Sequence, residues 1–148
     1  MLDAVKIAVI SDTHNRMPPT LPDRLAAADA IWHLGDVCHP DTLLGLEALG
    51  MPIRIVAGNC DTLNIWPGTL RVTVHGLRCH LEHIAPRMAP PDTDLILSGH
   101  THRPDRHVEG AVTWLNPGCI SNPRGMPPSF AWLEIDEDGK WTWETELV

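Results

Sequence analysis

Tyrosine is absent from this chain, and Phe130 is its single phenylalanine. Aromatic packing therefore falls to six tryptophans. Basic residues are few: 11 Lys and Arg stand against 19 Asp and Glu, a formal charge of −8. That balance argues against broad electrostatic binding to nucleic acid, which draws on a basic surface. It leaves phosphate substrates open, because bound metal ions can invert the local potential. No apolar run approaches the ~20 residues of a membrane span, so no membrane association is expected. The first ten residues lack a basic leader and a small-residue cleavage site, and read as a buried strand. Cys38, Cys60, Cys79 and Cys119 form no CxxC pair and no zinc-ribbon spacing. Reduced thiols in a cytoplasmic protein are the simplest reading of them.

A chain of 148 residues suits one domain, spanning residues 1–148. Its 14 prolines gather in short stretches, among them Pro18-Pro19, Pro86 to Pro91 and Pro127-Pro128, which punctuate loops. Ile7–Ile10, extended by Val5, is a β-branched apolar run that suits a strand covered on both faces. Leu21–Ala30 is Ala/Leu-rich and reads as a helix, and Ala30–Leu34 as a second strand. Pro40–Leu49 reads as a second helix stopped by Gly50, and Ile53–Ala57 as a third strand. This β-α-β-α-β opening predicts a parallel sheet with helices on its faces. Thr69–Val74 and Leu77–Glu82 form an expected hairpin about His75-Gly76. Further strands are expected at Leu95–Ser98, Val112–Leu115, Phe130–Ile135 and Trp141–Leu147, the last two joined by a turn at Asp136–Gly139. The sum is a mixed α/β domain with two packed sheets.

Five expected strands run into polar residues able to bind metal. They end at Asp12-Thr-His14, Gly35-Asp36, Gly58-Asn59, Glu82-His83 and Gly99-His-Thr-His102. Ligands of open α/β sheets bind at the carboxyl ends of strands, so Asp12, His14, Asp36, Asn59, His83, His100 and His102 can converge on one edge. Nitrogen and oxygen donors of this kind suit Mn, Fe, Zn, Ni or Co. Two aspartates neutralise half the charge of two divalent ions, which leaves the site attractive to a phosphate oxyanion. Two such ions can activate water and stabilise in-line displacement at phosphorus.

Ser11-Asp-Thr-His14, Leu34-Gly-Asp36, Gly58-Asn-Cys-Asp61, Gly99-His-Thr-His102 and Asn116-Pro-Gly118 occur in this order along the chain. With these five blocks the sequence resembles the calcineurin-like metallophosphoesterases, and within them the small prokaryotic phosphodiesterases of the YfcE type. The resemblance implies a two-sheet β-sandwich flanked by helices, in four layers α/β/β/α. It implies one metal held by Asp12, His14, Asp36 and His102, and a second held by Asp36, Asn59, His83 and His100, with Asp36 bridging. It implies hydrolysis, of phosphodiesters above monoesters, by attack of a metal-bridging hydroxide on phosphorus, with two divalent ions as cofactors and manganese the first choice. The chain departs from the family pattern at Ile84, where glycine usually follows the histidine. The segment after it is short and holds Pro86, Pro90 and Pro91, so the family's helix is expected to be missing there. Cys119 stands where many relatives have serine.

Asp36 and Asn59 are also expected at the reacting centre, with Cys60 and Arg124 as candidates beside them. Cys60 stands where larger relatives place a histidine that assists the leaving group, so no leaving-group acid is evident. It reads either as a substrate contact or as a buried structural thiol. Arg124 reads either as a bidentate phosphate clamp or as a solvated arginine. Asn15 and His39 are candidates to reach the cleft, whereas Asp61 is expected to orient its neighbours. His33 is expected to be packed, His75 and His80 to lie in or beside the hairpin, and His107 to lie in a loop. Trp132, Trp141 and Trp143 suit packing on a sheet face or a contact between two copies of the chain. The expected partner is a small phosphoester substrate, with specificity set by the 84–93 and 121–128 loops. Two other functions stay open: a non-catalytic scaffold of the same fold, as in the retromer subunit, and a dinuclear hydrolase of a non-phosphate ester.

Overall fold

The computed structural model describes residues 4–121 and 124–148. Strand β1 (Val5–Ile10) leads into a short helix α1 (Leu21–Leu25), then β2 (Ala30–His33). A 3₁₀ turn at Pro40–Leu43 passes into α2 (Leu44–Glu47) and then β3 (Ile53–Ile55). The second half is almost wholly extended: β4 (Thr69–Val74), β5 (Leu77–Glu82), β6 (Leu95–Leu97), β7 (Pro104–Glu109), β8 (Val112–Pro117), β9 (Ser129–Ile135) and β10 (Trp141–Leu147).

These strands build two five-stranded mixed sheets, ordered β10-β9-β1-β2-β3 and β4-β5-β6-β8-β7. β1, β2 and β3 run parallel, in register Ile7 with Ala30 and Ile31 with Ile53. β5, β6 and β8 also run parallel, with Leu81 beside Leu97 and Leu97 beside Leu115. Alternation along β1 decides what each face covers. Ile7 and Val9 enter the core between the sheets with Trp32, Leu81, Leu97, Leu133 and Trp143. Ala8 and Ile10 face the other way and pack under the helices with Leu21, Leu25, Ile31 and Leu46. β1 thus reads as a continuous apolar run because both of its faces are covered.

The two-sheet sandwich agrees with the expectation, and several boundaries are corrected. The expected helix over Leu21–Ala30 stops after Leu25. The Asp29 amide donates to the Lys6 carbonyl at 2.7 Å, and the Asp29 carboxylate accepts from the Lys6 amide, so sheet pairing takes the chain from the helix. The expected helix over Pro40–Leu49 divides into a 3₁₀ turn and one α turn, and Gly50 ends it at φ +91. β3 and β6 are shorter than expected, and β8 runs two residues further, to Pro117. β7 was not foreseen: it is an almost wholly exposed edge strand, so His107 lies in a strand and not in a loop. Among the described residues no helix follows β5, in keeping with Pro86, Pro90 and Pro91, and the helices pack on the first sheet alone.

Candidate metal centre

The ends of β1, β2, β3, β5 and β6 meet where the two sheets adjoin. The loops are knitted by backbone bonds: Asp12 N–H to Gly35 O at 2.9 Å, His14 N–H to Asp36 O at 2.9 Å and Gly99 N–H to His83 O at 2.9 Å. Five of the seven expected ligands have left-handed backbone: Asp12, His14, Asp36, His100 and His102, at φ between 45 and 68. Such conformations are strained for non-glycine residues, and they persist where the surroundings hold a site. Two glycines make the loops fit. A Cβ on Gly58 would overlap the Asp36 carboxylate, and one on Gly99 would overlap the Ser11 hydroxyl.

All seven residues come together. Asp12, Asp36, His83 and His102 are buried, whereas Asn59 is exposed and His14 and His100 are half-buried. Asp12 Oδ1 lies 3.6 Å from His14 Nε2 and 3.3 Å from His102 Nε2. Asp36 Oδ2 lies 3.6 Å from His14 Nε2 and 3.3 Å from His83 Nε2. Asn59 Oδ1 is 3.0 Å from His83 Nε2 and 3.2 Å from His100 Nδ1. Donors bound at about 2.0–2.2 Å around one ion stand roughly 3.0–3.6 Å apart, so these spacings fit coordination without rearrangement. Asp12, His14 and His102, and likewise Asp12, Asp36 and His83, form sets compact enough to hold a metal ion.

Asp12, Asp36 and His83 each have one side-chain atom held and another facing the centre. Asp12 Oδ2 accepts from the Ser11 hydroxyl at 2.6 Å and from the His100 amide at 3.2 Å. Asp12 Oδ1 and His14 Nε2 are buried without a hydrogen-bond partner among the described residues. Orphaned buried polar atoms are costly, and an ion between these two would satisfy both. Asp36 Oδ1 accepts from the Cys60 amide at 2.8 Å, which leaves Oδ2 facing the histidines. His83 Nδ1 donates to the Leu34 carbonyl at 2.8 Å, and this turns Nε2 inward. His83, next to Ile84, thus takes its place with the other six.

Electrostatics follow from this packing. Burial works to raise the Asp36 carboxyl, but hydrogen bonds from His83 and the Cys60 amide, with the charges of His83 and His14, hold it below the usual carboxylate range. Burial works to lower His83, and Asp36 and Asp12 reverse that and raise it. Burial, helped by the charge of His83, pushes His33 down to about 3. His33 is accordingly neutral: Nδ1 accepts from the Gly35 amide at 3.1 Å, so Nε2–H donates to Thr13 Oγ1 at 3.0 Å. It braces two ligand loops, a role that composition and spacing did not reveal.

Asp61 orients its surroundings as expected, taking the Asp36, Cys38 and Gly58 amides at 2.7–2.8 Å. Asn116 holds the Gly99 carbonyl and Thr101 hydroxyl at 3.0 and 3.2 Å, which explains its block as a buttress of the His100–His102 loop. The Cys119 thiol and Ser121 hydroxyl both donate to the Asp12 carbonyl. Cys60 is exposed, so the buried structural reading of its thiol does not hold. His39 caps the 3₁₀ turn by accepting from the Asp41 amide at 3.1 Å, and Asn15 Oδ1 accepts from the His39 amide at 2.7 Å. Arg124 is exposed. It follows residues 122 and 123 of the 121–128 loop, which lie outside the described residues. Trp141 and Trp143 pack into the inter-sheet core.

The profile of the calcineurin-like phosphoesterase superfamily domain matches residues 5–138, the stretch that carries all seven residues. The chain belongs to this superfamily. It is 35% identical to a probable metallophosphoesterase of Methanothermobacter thermautotrophicus, over 88% of this chain and 86% of that protein. It is 28% identical to phosphodiesterase YfcE of Escherichia coli, over 89% of each. The solved structure of Vps29 of Entamoeba histolytica, complexed with zinc, superposes with a TM-score of 0.75. That likeness covers 96% of this chain and 98% of Vps29 at 23% identity, and it speaks for the shared fold alone. The superfamily binds divalent metals, and groups of residues able to hold such an ion are in place in this chain.

Proposed function

We propose that the chain is a dinuclear-metal-dependent phosphoesterase that hydrolyses small phosphodiesters in preference to monoesters. Asp12, His14, Asp36 and His102 would hold one divalent ion, and Asp36, Asn59, His83 and His100 the other. When bound, the two ions would supply activated water for attack at phosphorus and positive charge for the developing oxyanion. The observation that carries this reading is Asp36 Oδ2, which faces both donor sets, 3.6 Å from His14 Nε2 and 3.3 Å from His83 Nε2. The exposed side of the centre, at Asn59 and Cys60, is the approach for substrate. A cavity of about 410 Å³ lined by Ala85, Thr101, Arg103, Trp114 and Asn116 lies beside the His100–His102 loop, though none of the seven donors lines it. Trp114 Nε1 is a buried donor without a partner there among the described residues. Arg124 would steady the phosphate from the loop that follows Cys119. Among the described residues no group stands ready to protonate the leaving alcohol, so aryl esters are the favoured substrates. Manganese is the first choice of metal, with Ni, Fe, Zn or Co as replacements. The absence of a disulfide among the four cysteines suits the cytoplasm.

The test is an assay of metal-stripped protein on a bis-aryl phosphate and on a carboxylate ester, after addition of Mn, Ni, Co, Fe or Zn. Turnover of the phosphate is expected with at least one metal, and it should fall by about a hundredfold or more in Asp36→Asn, which weakens both sites. Silence with every metal sinks the proposal, and faster cleavage of the carboxylate ester would move the activity to another class. A non-catalytic scaffold shares this fold. The completeness of the donor set stands against it, and a chain that takes up no metal would restore it.

A further inference from the structure

Beside the candidate centre, two loops bring Cys38 and Cys60 together. The Asp61 carboxylate clamps these loops, taking the Cys38 amide at 2.7 Å on one oxygen and the Asp36 and Gly58 amides at 2.8 and 2.7 Å on the other. Cys38 is held at φ +74, a conformation that a non-glycine residue adopts only when its surroundings enforce it. The two thiols face each other and also the ring of His14, with Cys38 Sγ 3.9 Å from His14 Nδ1. One donor atom from each of His14, Cys38 and Cys60 lies within 4.8 Å of the other two. Around a tetrahedral zinc ion, with bonds of about 2.3 Å to sulfur and 2.0–2.1 Å to nitrogen, sulfur and nitrogen stand roughly 3.6 Å apart and two sulfurs roughly 3.8 Å. The observed Cys38–His14 separation is within a few tenths of an ångström of that. Cys38 is half-buried and Cys60 exposed, so an ion can enter from solvent.

We propose that Cys38 Sγ, Cys60 Sγ and His14 Nδ1 form a cation site of their own on the rim of the centre, one that takes a thiophilic ion such as Zn²⁺ or Cd²⁺. Two sulfurs and one imidazole nitrogen suit such ions, whereas the Asp, Asn and His donors below them suit harder ones. Three protein ligands leave the fourth tetrahedral position to water. Binding replaces two S–H bonds by two sulfur–metal bonds and releases both protons to solvent, so the filled site is neutral. A neutral imidazole has one lone pair to give. His14 therefore serves either the rim ion through Nδ1 or the Asp12–His102 set through Nε2, and the two occupancies oppose each other. The rim site stands on its own geometry, and only this opposition rests on the hydrolase reading.

The experiment titrates reduced, metal-free protein with Cd²⁺ and follows the ultraviolet thiolate-to-cadmium charge-transfer band and proton release. The expected result is a band that saturates at one ion per chain, with two protons released as it grows, and that is lost in Cys38→Ser and in Cys60→Ser but kept in Asp12→Asn. Alkylation of the unmutated protein needs no variant to fold: one equivalent of Cd²⁺ should slow modification of Cys38 and Cys60 at least tenfold, read by peptide mass. A band that survives in both serine variants, or alkylation at unchanged rates, overturns the site. Neither readout needs turnover, so a chain that hydrolyses no phosphoester can still pass, and an active one can still fail.

Discussion

At His83 the ring is fixed by one bond, from Nδ1 to the Leu34 carbonyl at 2.8 Å, and Nε2 is thereby aimed at Asp36, Asp12 and Asn59. His83→Ala is expected to reduce bound metal from two ions per chain to one, with turnover about a hundredfold lower. Metal analysis of dialysed protein beside the assay checks this, and two retained ions would remove His83 from the set. His33, buried and neutral, contributes in the opposite sense to an ion-paired group. Its folded value of about 3 lies below the ordinary 6.5. As pH falls through that interval, the unfolded chain takes the proton first. Its contribution is therefore complete above pH 6.5 and is lost towards pH 3, at up to about 1.4 kcal/mol per pH unit. Denaturant midpoints of metal-free protein across this range should fall more steeply for the natural chain than for His33→Gln.

The loops after the strands place the donors, and glycines decide how closely they approach. Gly58 lies against the Asp36 carboxylate with no room for a Cβ, whereas Gly68 has open space around it. Gly58→Ala should cost about 1–3 kcal/mol of stability by overpacking and weaken metal binding through Asp36. Gly68→Ala should change neither, and chemical denaturation of both variants separates the two cases. The elements themselves were legible where a local signal was strong. β1 and the β4–β5 hairpin were read closely because apolar runs and the His75-Gly76 turn are local features. α1 was read too long because its end depends on Asp29 pairing with Lys6, 23 residues away. β7 was missed because Pro104-Asp-Arg-His-Val-Glu109 has no alternation of apolar residues, and as an edge strand it needs none.

Across the whole molecule, donors come from both sheets: Asp12, Asp36 and Asn59 follow β1, β2 and β3, while His83, His100 and His102 follow β5 and β6. Ions bound between them would tie one sheet to the other and stabilise the folded chain by mass action. An excess of a hundredfold over Kd contributes about 2.7 kcal/mol, or roughly 10 °C in Tm for a domain of this size. Melting curves with manganese and with a chelator measure this, and equal curves would count against ions bridging the sheets. The charge of −8 is also a property of the whole. A net negative field of this kind works against anionic ligands, so a phosphate substrate would have to be drawn in by charge placed locally at the centre.

Sequence by itself picked out the seven residues that the fold brings together and the order in which the strands deliver them. Apolar runs that end in Asp, Asn and His are short-range patterns, and five motif blocks in series identify the family. Tertiary structure decided what depends on distant parts of the chain. It brought His83 in beside Ile84 and oriented its ring through the Leu34 carbonyl, set His33 as a neutral brace and moved Cys60 to the surface. It also brought the thiols of Cys38 and Cys60 against His14. Those outcomes rest on left-handed backbone and on the seam between two sheets, and neither is encoded by any one segment alone.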